Sequence, residues 1–427
     1  MRYFLSTATL FSWSLLFSSL SVSAQDKCAT IAVQQQLLYN DPTLAQRIQQ
    51  AKDEAAAYRL AHPFAEKTGT IITIPVVVHV VHNGEPIDSG TNISEEQIRS
   101  QIEVLNEDYR RFNADTVNTP SVFKSVAADI EVHFCLAERD PEGNVTNGID
   151  RIDGNRLTWT QTQVDNTLKP GSIWDREYYL NIWTVKFGGA SASLLGYAIQ
   201  PGNNADIDGV VIGYQYFGRV GNLQPPFNLG RTTTHEVGHW LGLNHPWSAT
   251  NDPGTSSCAD DDGIADTPNS EFGNYGCPSF PHISCGNGPN GDMFMNYMDY
   301  TNDACLNMFT SGQKSVMLST LQTSRSNIQI SGVCTWQWPV GIKEYTMAKD
   351  YAIAYDAAQQ EMLIMEKAEN TEVEQIAIFS MTGQAVGTGR MYGKSLRMPL
   401  ADAASGLYLV KVFAKEASFS KKVMVTH

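Results

Sequence analysis

Beyond its first two dozen residues the 427-residue chain has no apolar run long enough to cross a bilayer, so no transmembrane anchor is expected. An excess of positive charge is also missing. Thirty Lys and Arg against 45 Asp and Glu leave a net charge of −15, which argues against nucleic acid or an anionic membrane as the main partner. Charged residues are scarce at 18 % while apolar residues reach 42 %, so wholesale disorder is excluded. Cysteine is sparse and unevenly placed: Cys28, Cys135, Cys258, Cys277, Cys285, Cys305 and Cys334, with none after that. Seven is odd, so at least one thiol stays unpaired within a monomer, and spacing alone does not assign the pairs.

What the chain does have begins with a leader. Arg2, the apolar stretch Phe4 to Phe17 and the small residues Val22-Ser23-Ala24 read as a signal peptide over residues 1–24, which makes disulfides permissible. Residues 25–65 are polar and rich in Ala and Gln, with helical character around Gln35–Leu38 and Leu44–Leu60, and read as a pro-segment. A run of β-branched residues from Ile71 to Val81 then opens a globular domain, assigned to residues 66–335. Ser94-Glu95-Glu96-Gln97 forms a capping box, and Ile98, Ile102, Leu105, Tyr109 and Phe112 follow at helical spacing. Alternation over Ile130–Leu136 and short apolar runs at Leu180–Trp183 and Gly209–Ile212 add strands, giving an α+β fold with a mixed sheet and a backing helix. From Cys258 to Cys305 the sequence is loop-like and needs disulfides or ions to hold it. A linker at 336–345 leads to a cysteine-free domain, 346–427, whose strand-like runs suggest a small β-sandwich.

The chemistry is concentrated in Thr234-His235-Glu236-Val237-Gly238-His239-Trp240-Leu241-Gly242-Leu243-Asn244-His245. On a helix His235 and His239 lie one turn apart on one face and can reach a single metal. Gly242 lets the chain leave the helix sharply, so that His245 can return as a third ligand. Three neutral nitrogens leave a fourth zinc position open, the mark of a catalytic rather than a structural site. Glu236 sits beside the ion and can serve as general base and then general acid in a hydrolysis. A rival arrangement would draw its third ligand from Glu271, but that residue lies in a Gly- and Pro-rich stretch.

The zinc stretch, the turn Asn296-Tyr297-Met298-Asp299-Tyr300, Asp266-Thr267-Pro268 between them, and Cys135-Leu136-Ala137 with Asn147-Gly148-Ile149 upstream resemble the pappalysin family of metzincins over residues 70 to 335. The resemblance implies a metzincin-type domain with a twisted mixed sheet, backing and active-site helices and an irregular C-terminal subdomain. It implies zinc on His235, His239 and His245, Glu236 as general base, Met298 beneath the histidines and Tyr300 near the oxyanion. It also implies the bridges Cys258–Cys285 and Cys277–Cys305, leaving Cys135 with Cys334 and Cys28 free. Cys28 is then expected to act as a switch whose thiolate fills the open zinc position until the pro-segment is removed. The family likeness suggests a basic residue after the cut bond, with Asp303 as the acidic wall, although Ala304 beside it carries no charge.

Asp252, Asp260, Asp261, Asp262 and Asp266, with the carbonyls of Gly263 and Ile264, offer the hard oxygens that suit calcium, and the family implies it. The ligand set expected is Asp260, Asp262, Asp266 and Thr267. The tail resembles the C-terminal sorting domain of exported Bacteroidetes proteins through Ile378–Gln384, Gly406–Val412 and Lys421–Val423. That likeness implies export by the type IX secretion machinery.

The function expected is a secreted, monomeric zinc endopeptidase acting on proteins or peptides and made as a latent zymogen. A substrate would lie extended along a sheet edge near Gly209–Ile212. The competing expectations are a zinc-containing adhesin, which an intact Glu236 disfavours, and a hydrolase of non-peptide amides.

Overall fold

The computed structural model describes residues 27–62, 71–248, 258–330, Cys334 and, with short interruptions, 351–426. The expected leader, Asp252 and the expected linker lie outside these residues. The chain divides into two compact units, Met1–Cys334 and Thr335–His427.

In the first unit the β-branched run becomes β1 (Ile72–His82), the centre of a six-stranded sheet. Its first half pairs with β2 (Val132–Leu136) and its second half with β3 (Ile149–Asp153); β4 (Leu180–Val185) pairs along its other side, all parallel. A parallel strand is covered on both faces, which is why this run is apolar without alternation. Ile74, Val76, Val78 and Val80 join the core shared with α3 (Glu95–Tyr109), while Val81 joins Trp159, Trp183 and Val211 on the opposite face.

The cap of α3 is half of the expected box. Ser94 accepts the Gln97 N–H, but the Gln97 amide donates to the carbonyls of Tyr214 and Phe217 instead of returning to the cap. Arg111 takes a left-handed φ of 50° just past the helix, so Phe112 leaves the apolar stripe and is 45 % exposed. The expectation that Phe112 continues the helix is corrected here.

A second correction concerns the sheet edge. The run at Gly209–Ile212 forms β6 (Val210–Gly213), which is interior, paired with β4 on one side and antiparallel β5 (Gly196–Ala198) on the other. The edge is β5, a three-residue strand too short to stand out in the sequence.

The N-terminal segment folds as α1 (Thr30–Asn40) and α2 (Leu44–Ala61) and docks on this unit. Arg59 of α2 donates to Ser319 of a helix near the end of the unit, α5 (Ser311–Gln322). The turn at Gly202, with φ +90°, comes so close to α2 that a Cβ there would meet the Ile48 Cα at 2.8 Å. The bridges are Cys135–Cys334, Cys258–Cys285 and Cys277–Cys305, and Cys28 is a buried free thiol.

The second unit comprises a four-stranded and a three-stranded antiparallel sheet. They enclose Ile353, Met362, Ile364, Ile376, Ile378, Val410 and Val412. Among the described residues no helix is long and apolar enough to cross a membrane.

Candidate metal centre and active site

His235 and His239 sit on α4 (Arg231–Trp240), every residue of which is buried. Its first turn is anchored by charge. The Arg231 guanidinium pairs with Asp108 at 3.2 Å and Asp115 at 2.5 Å and donates to the Leu306 carbonyl at 2.6 Å. Thr234 donates to Asp108, and Tyr109 of α3 donates to the Thr234 carbonyl. The helix ends in a Schellman arrangement: Gly242, at φ +93°, donates to His239 O, and the Leu243 N–H reaches back to Gly238 O. This reversal carries His245 back over the helix.

The three Nε2 atoms converge at 3.1 Å (His235–His239), 3.0 Å (His239–His245) and 3.2 Å (His235–His245). Two tautomers are fixed, because His235 Nδ1–H donates to Tyr297 O and His239 Nδ1–H to Leu243 O, each at 2.8 Å. Their Nε2 atoms therefore present lone pairs to each other at van der Waals distance, an arrangement that repels unless a cation lies between them. Four-coordinate metal–nitrogen bonds of about 2.0–2.1 Å call for nitrogens roughly 3.3 Å apart, so the donors fit one small ion. Burial pushes all three imidazoles toward the neutral form a ligand needs, His239 to about 4. Met298 packs against α4 between His235 and His239: a Cβ on Gly238 would fall 2.5 Å from its sulfur, so this helical glycine admits the turn.

A sulfur of the N-terminal segment lies beside the three imidazoles. Cys28 Sγ and the three imidazoles have ligand atoms within 4.8 Å of one another, and this is the one such cluster among the described residues. Glu271, the rival third ligand, is outside it. Cys28 lies beside β5 in a parallel bridge to Gly196, and the Ala29 N–H donates to Gly196 O. Glu236 accepts the Cys28 thiol at 3.3 Å and the Thr30 hydroxyl at 2.9 Å on the same oxygen, Oε2, leaving buried Oε1 unpartnered. Burial raises Glu236 to about 8 against those two bonds. The Tyr300 hydroxyl donates to the Cys28 carbonyl at 3.3 Å, and its ring lies against His235 and His245.

Lys27 and Thr30 were not singled out in the sequence; adjacency to Cys28 was the only signal they carried. Lys27 is 1 % exposed, donates to Thr301 O at 2.9 Å and lies 5.3 Å from the Phe227 ring centroid. Burial lowers its pKa, while Asp303 and then Asp299 and Glu236 oppose that shift. Asp303 is fully buried; one oxygen accepts from the N–H groups of Leu229 and Arg231, and the other has no hydrogen-bond partner.

The acidic set is not brought together in the same way. Asp260 accepts the Ser248 hydroxyl, and Asp266 supports the first turn of α5 by accepting the hydroxyl of its N-cap, Thr310, and the Gly312 N–H. Asp262 accepts Thr267 Oγ1 at 2.8 Å and the Ile264 N–H at 3.0 Å. Burial raises Asp262 to about 7.

A helix-borne histidine pair, a returning third imidazole and a carboxylate beside them on a mixed sheet define a metalloprotease. A family model described as pregnancy-associated plasma protein-A matches residues 164–322, and one described as a secretion system C-terminal sorting domain matches residues 358–426. An extracellular metalloprotease of Colletotrichum graminicola is 30 % identical over 324 residues, covering 73 % of this chain and 99 % of that protein. Mature mirolysin of Tannerella forsythia in complex with a cleaved peptide is 48 % identical at a TM-score of 0.56, covering 61 % of this chain and 96 % of that one. A promirolysin mutant from the same organism is 43 % identical at a TM-score of 0.63, covering 71 % and 97 %. The chain belongs to the pappalysin family of metalloproteases. It is a secreted enzyme with a type IX sorting domain at its C-terminal end.

Proposed function

We propose that the chain is a monomeric zinc endopeptidase whose segment 25–65 keeps it latent, with zinc on Nε2 of His235, His239 and His245 and the Cys28 thiolate in the fourth position. The observation that carries this reading is the convergence of one sulfur and three imidazole nitrogens within 4.8 Å, with the general base tied to the same segment. Soft thiolate and imidazole donors in a closed four-membered set favour zinc.

With the Cys28 thiolate withdrawn, zinc held by His235, His239 and His245 would polarise the scissile carbonyl and acidify water. Glu236, once released from Cys28 and Thr30, takes the proton of the attacking water and delivers it to the leaving nitrogen. Tyr300, released from the Cys28 carbonyl, donates to the developing oxyanion. The substrate replaces the N-terminal segment along β5, whose Gly196 O and Ala198 N–H now bond Ala29 and Thr30. The burial of Lys27 opposite Asp303 supports a basic residue next to the cut bond.

The reading extends to structural calcium in the 258–305 segment. Of the four ligands expected from sequence, Asp262 and Thr267 share one nest, and the buried Asp262 carboxylate is of the kind a cation would keep ionised.

The test compares the precursor and the processed enzyme on a denatured protein, with and without a zinc chelator. Cleavage by the processed form alone, abolished by the chelator and by Glu236→Ala with zinc content unchanged, is the expected result. Cleavage unaffected by Glu236→Ala would contradict the assigned base.

A further inference from the structure

Two of the three imidazoles are oriented by hydrogen bonds from Nδ1 to backbone carbonyls, whereas Nδ1 of His245 is buried without a partner. A ligating histidine ordinarily donates its other nitrogen to a carboxylate, carbonyl or water, and that bond fixes its ring. The His245 ring is held through its faces and edges instead. Trp247 stacks on it with ring centroids 4.5 Å apart and planes 8° from parallel, and Tyr300 meets it edge-on at 4.9 Å.

Trp247 is itself wedged. It is 1 % exposed, packs edge-on against Tyr300 at 4.8 Å, and rests its benzo ring on Gly273 of the disulfide-bonded segment. A Cβ on Gly273 would stand 2.9–3.2 Å from three of its ring carbons. Its indole Nε1 is buried and unpartnered, so packing, not hydrogen bonding, sets the plane of the indole and through it the plane of the imidazole.

We propose that Trp247, seated on Gly273, is the positioning residue for the third metal ligand, with a stacked face doing for His245 what carbonyls do for His235 and His239. The inference rests on the zinc reading above. Stacking limits the tilt of the ring but not its rotation within the plane, so His245 is the most loosely held of the three ligands. The 258–305 segment, which contributes no donor to the His/Cys cluster, thereby governs how well zinc is retained.

The experiment measures zinc affinity of the full-length chain by competition with a chromophoric chelator, together with the cobalt(II) spectrum of the substituted site. Support on related metal ligands is typically worth about 10–100-fold in affinity. Trp247→Leu is expected to lose zinc affinity by that factor and to weaken the tetrahedral cobalt bands. Trp247→Phe, which keeps a stacked ring, is expected to stay within about threefold of the parent, again against that scale. Gly273→Ala, which displaces the indole without removing it, is expected to fall between the two. Parent-like affinity in Trp247→Leu, or an equal loss in Trp247→Phe and Trp247→Leu, overturns the assignment. If Trp247→Leu does not fold, parent-like affinity in Gly273→Ala overturns it. A parent chain that binds no zinc would instead defeat the underlying zinc reading.

Discussion

The chain carries two clusters of metal-type residues, and the fold treats them in opposite ways. Between His235 and His245 a helix and its capped exit bring three nitrogens to within 3.2 Å. Between Asp260 and Asp266 four closely spaced carboxylates disperse, among them one to Ser248, one to the first turn of α5 and one into its own turn. The difference is the element that bears them. A helix converts a four-residue interval into a fixed displacement, whereas an irregular loop lets each carboxylate find its own donor. Motif spacing is therefore informative in proportion to the regularity of the backbone beneath it.

The largest effect expected on this contrast comes from the helix-borne group. Glu236→Ala should lower kcat by about 10²–10⁴, the usual worth of a positioned general base, with zinc content by metal analysis unchanged. Next is latency. Cys28→Ala precursor should cleave a denatured protein before processing, and Thr30→Val, which removes one of the two bonds to Glu236 but leaves the thiol, should show a smaller leak in the same assay. A Cys28→Ala precursor as silent as the parent would remove the thiol as main inhibitor. Asp303→Asn should then reduce kcat/KM by about tenfold or more for peptides with Lys or Arg after the cut bond, the range for breaking a buried charge pair. Peptides with an apolar residue there should change little.

The loop cluster gives the smaller effects. Asp266→Ala removes the acceptor of a first-turn N–H of α5 and should cost about 1–3 kcal/mol, read as a lowered Tm. Asp262 and Asp299 are raised to about 7 by burial, and Glu236 to about 8. A carboxylic acid whose folded pKa lies above its unfolded value favours the fold at low pH and loses that contribution as pH rises through the folded value. The metal-free precursor should therefore lose Tm progressively from about pH 4 to pH 8. Added calcium should flatten the part of that slope that Asp262→Asn also flattens; a slope insensitive to calcium in the parent would argue against a cation at Asp262.

Much of this was legible because it was periodic or capped. The β-branched run marked the central strand, Gly242 marked the helix exit, and the resemblance at Asn296–Tyr300 pointed to a turn whose Met298 packs against the histidine-bearing helix. What stayed hidden depended on long-range pairing. Three residues at Gly196–Ala198 gave no strand signal of their own, yet they form the edge along which Cys28 lies, while the more apolar Val210–Ile212 went to the interior. Lys27 and Thr30 are ordinary polar residues until the segment docks and buries one on the Thr301 carbonyl, within the field of Asp303, and the other on Glu236. Phe112 obeyed helical spacing but followed a left-handed residue that ended the helix first.

The central claim is that one sulfur and three imidazoles share a single zinc ion in the precursor and that the sulfur leaves on processing. X-ray absorption at the zinc edge, recorded on the full-length chain and on its processed form, tests it most directly. The account predicts one sulfur and three nitrogen scatterers before processing, and three imidazole nitrogens with a light-atom neighbour and no sulfur after it. A precursor spectrum without sulfur, or a processed enzyme with fewer than three imidazoles on the metal, would contradict it.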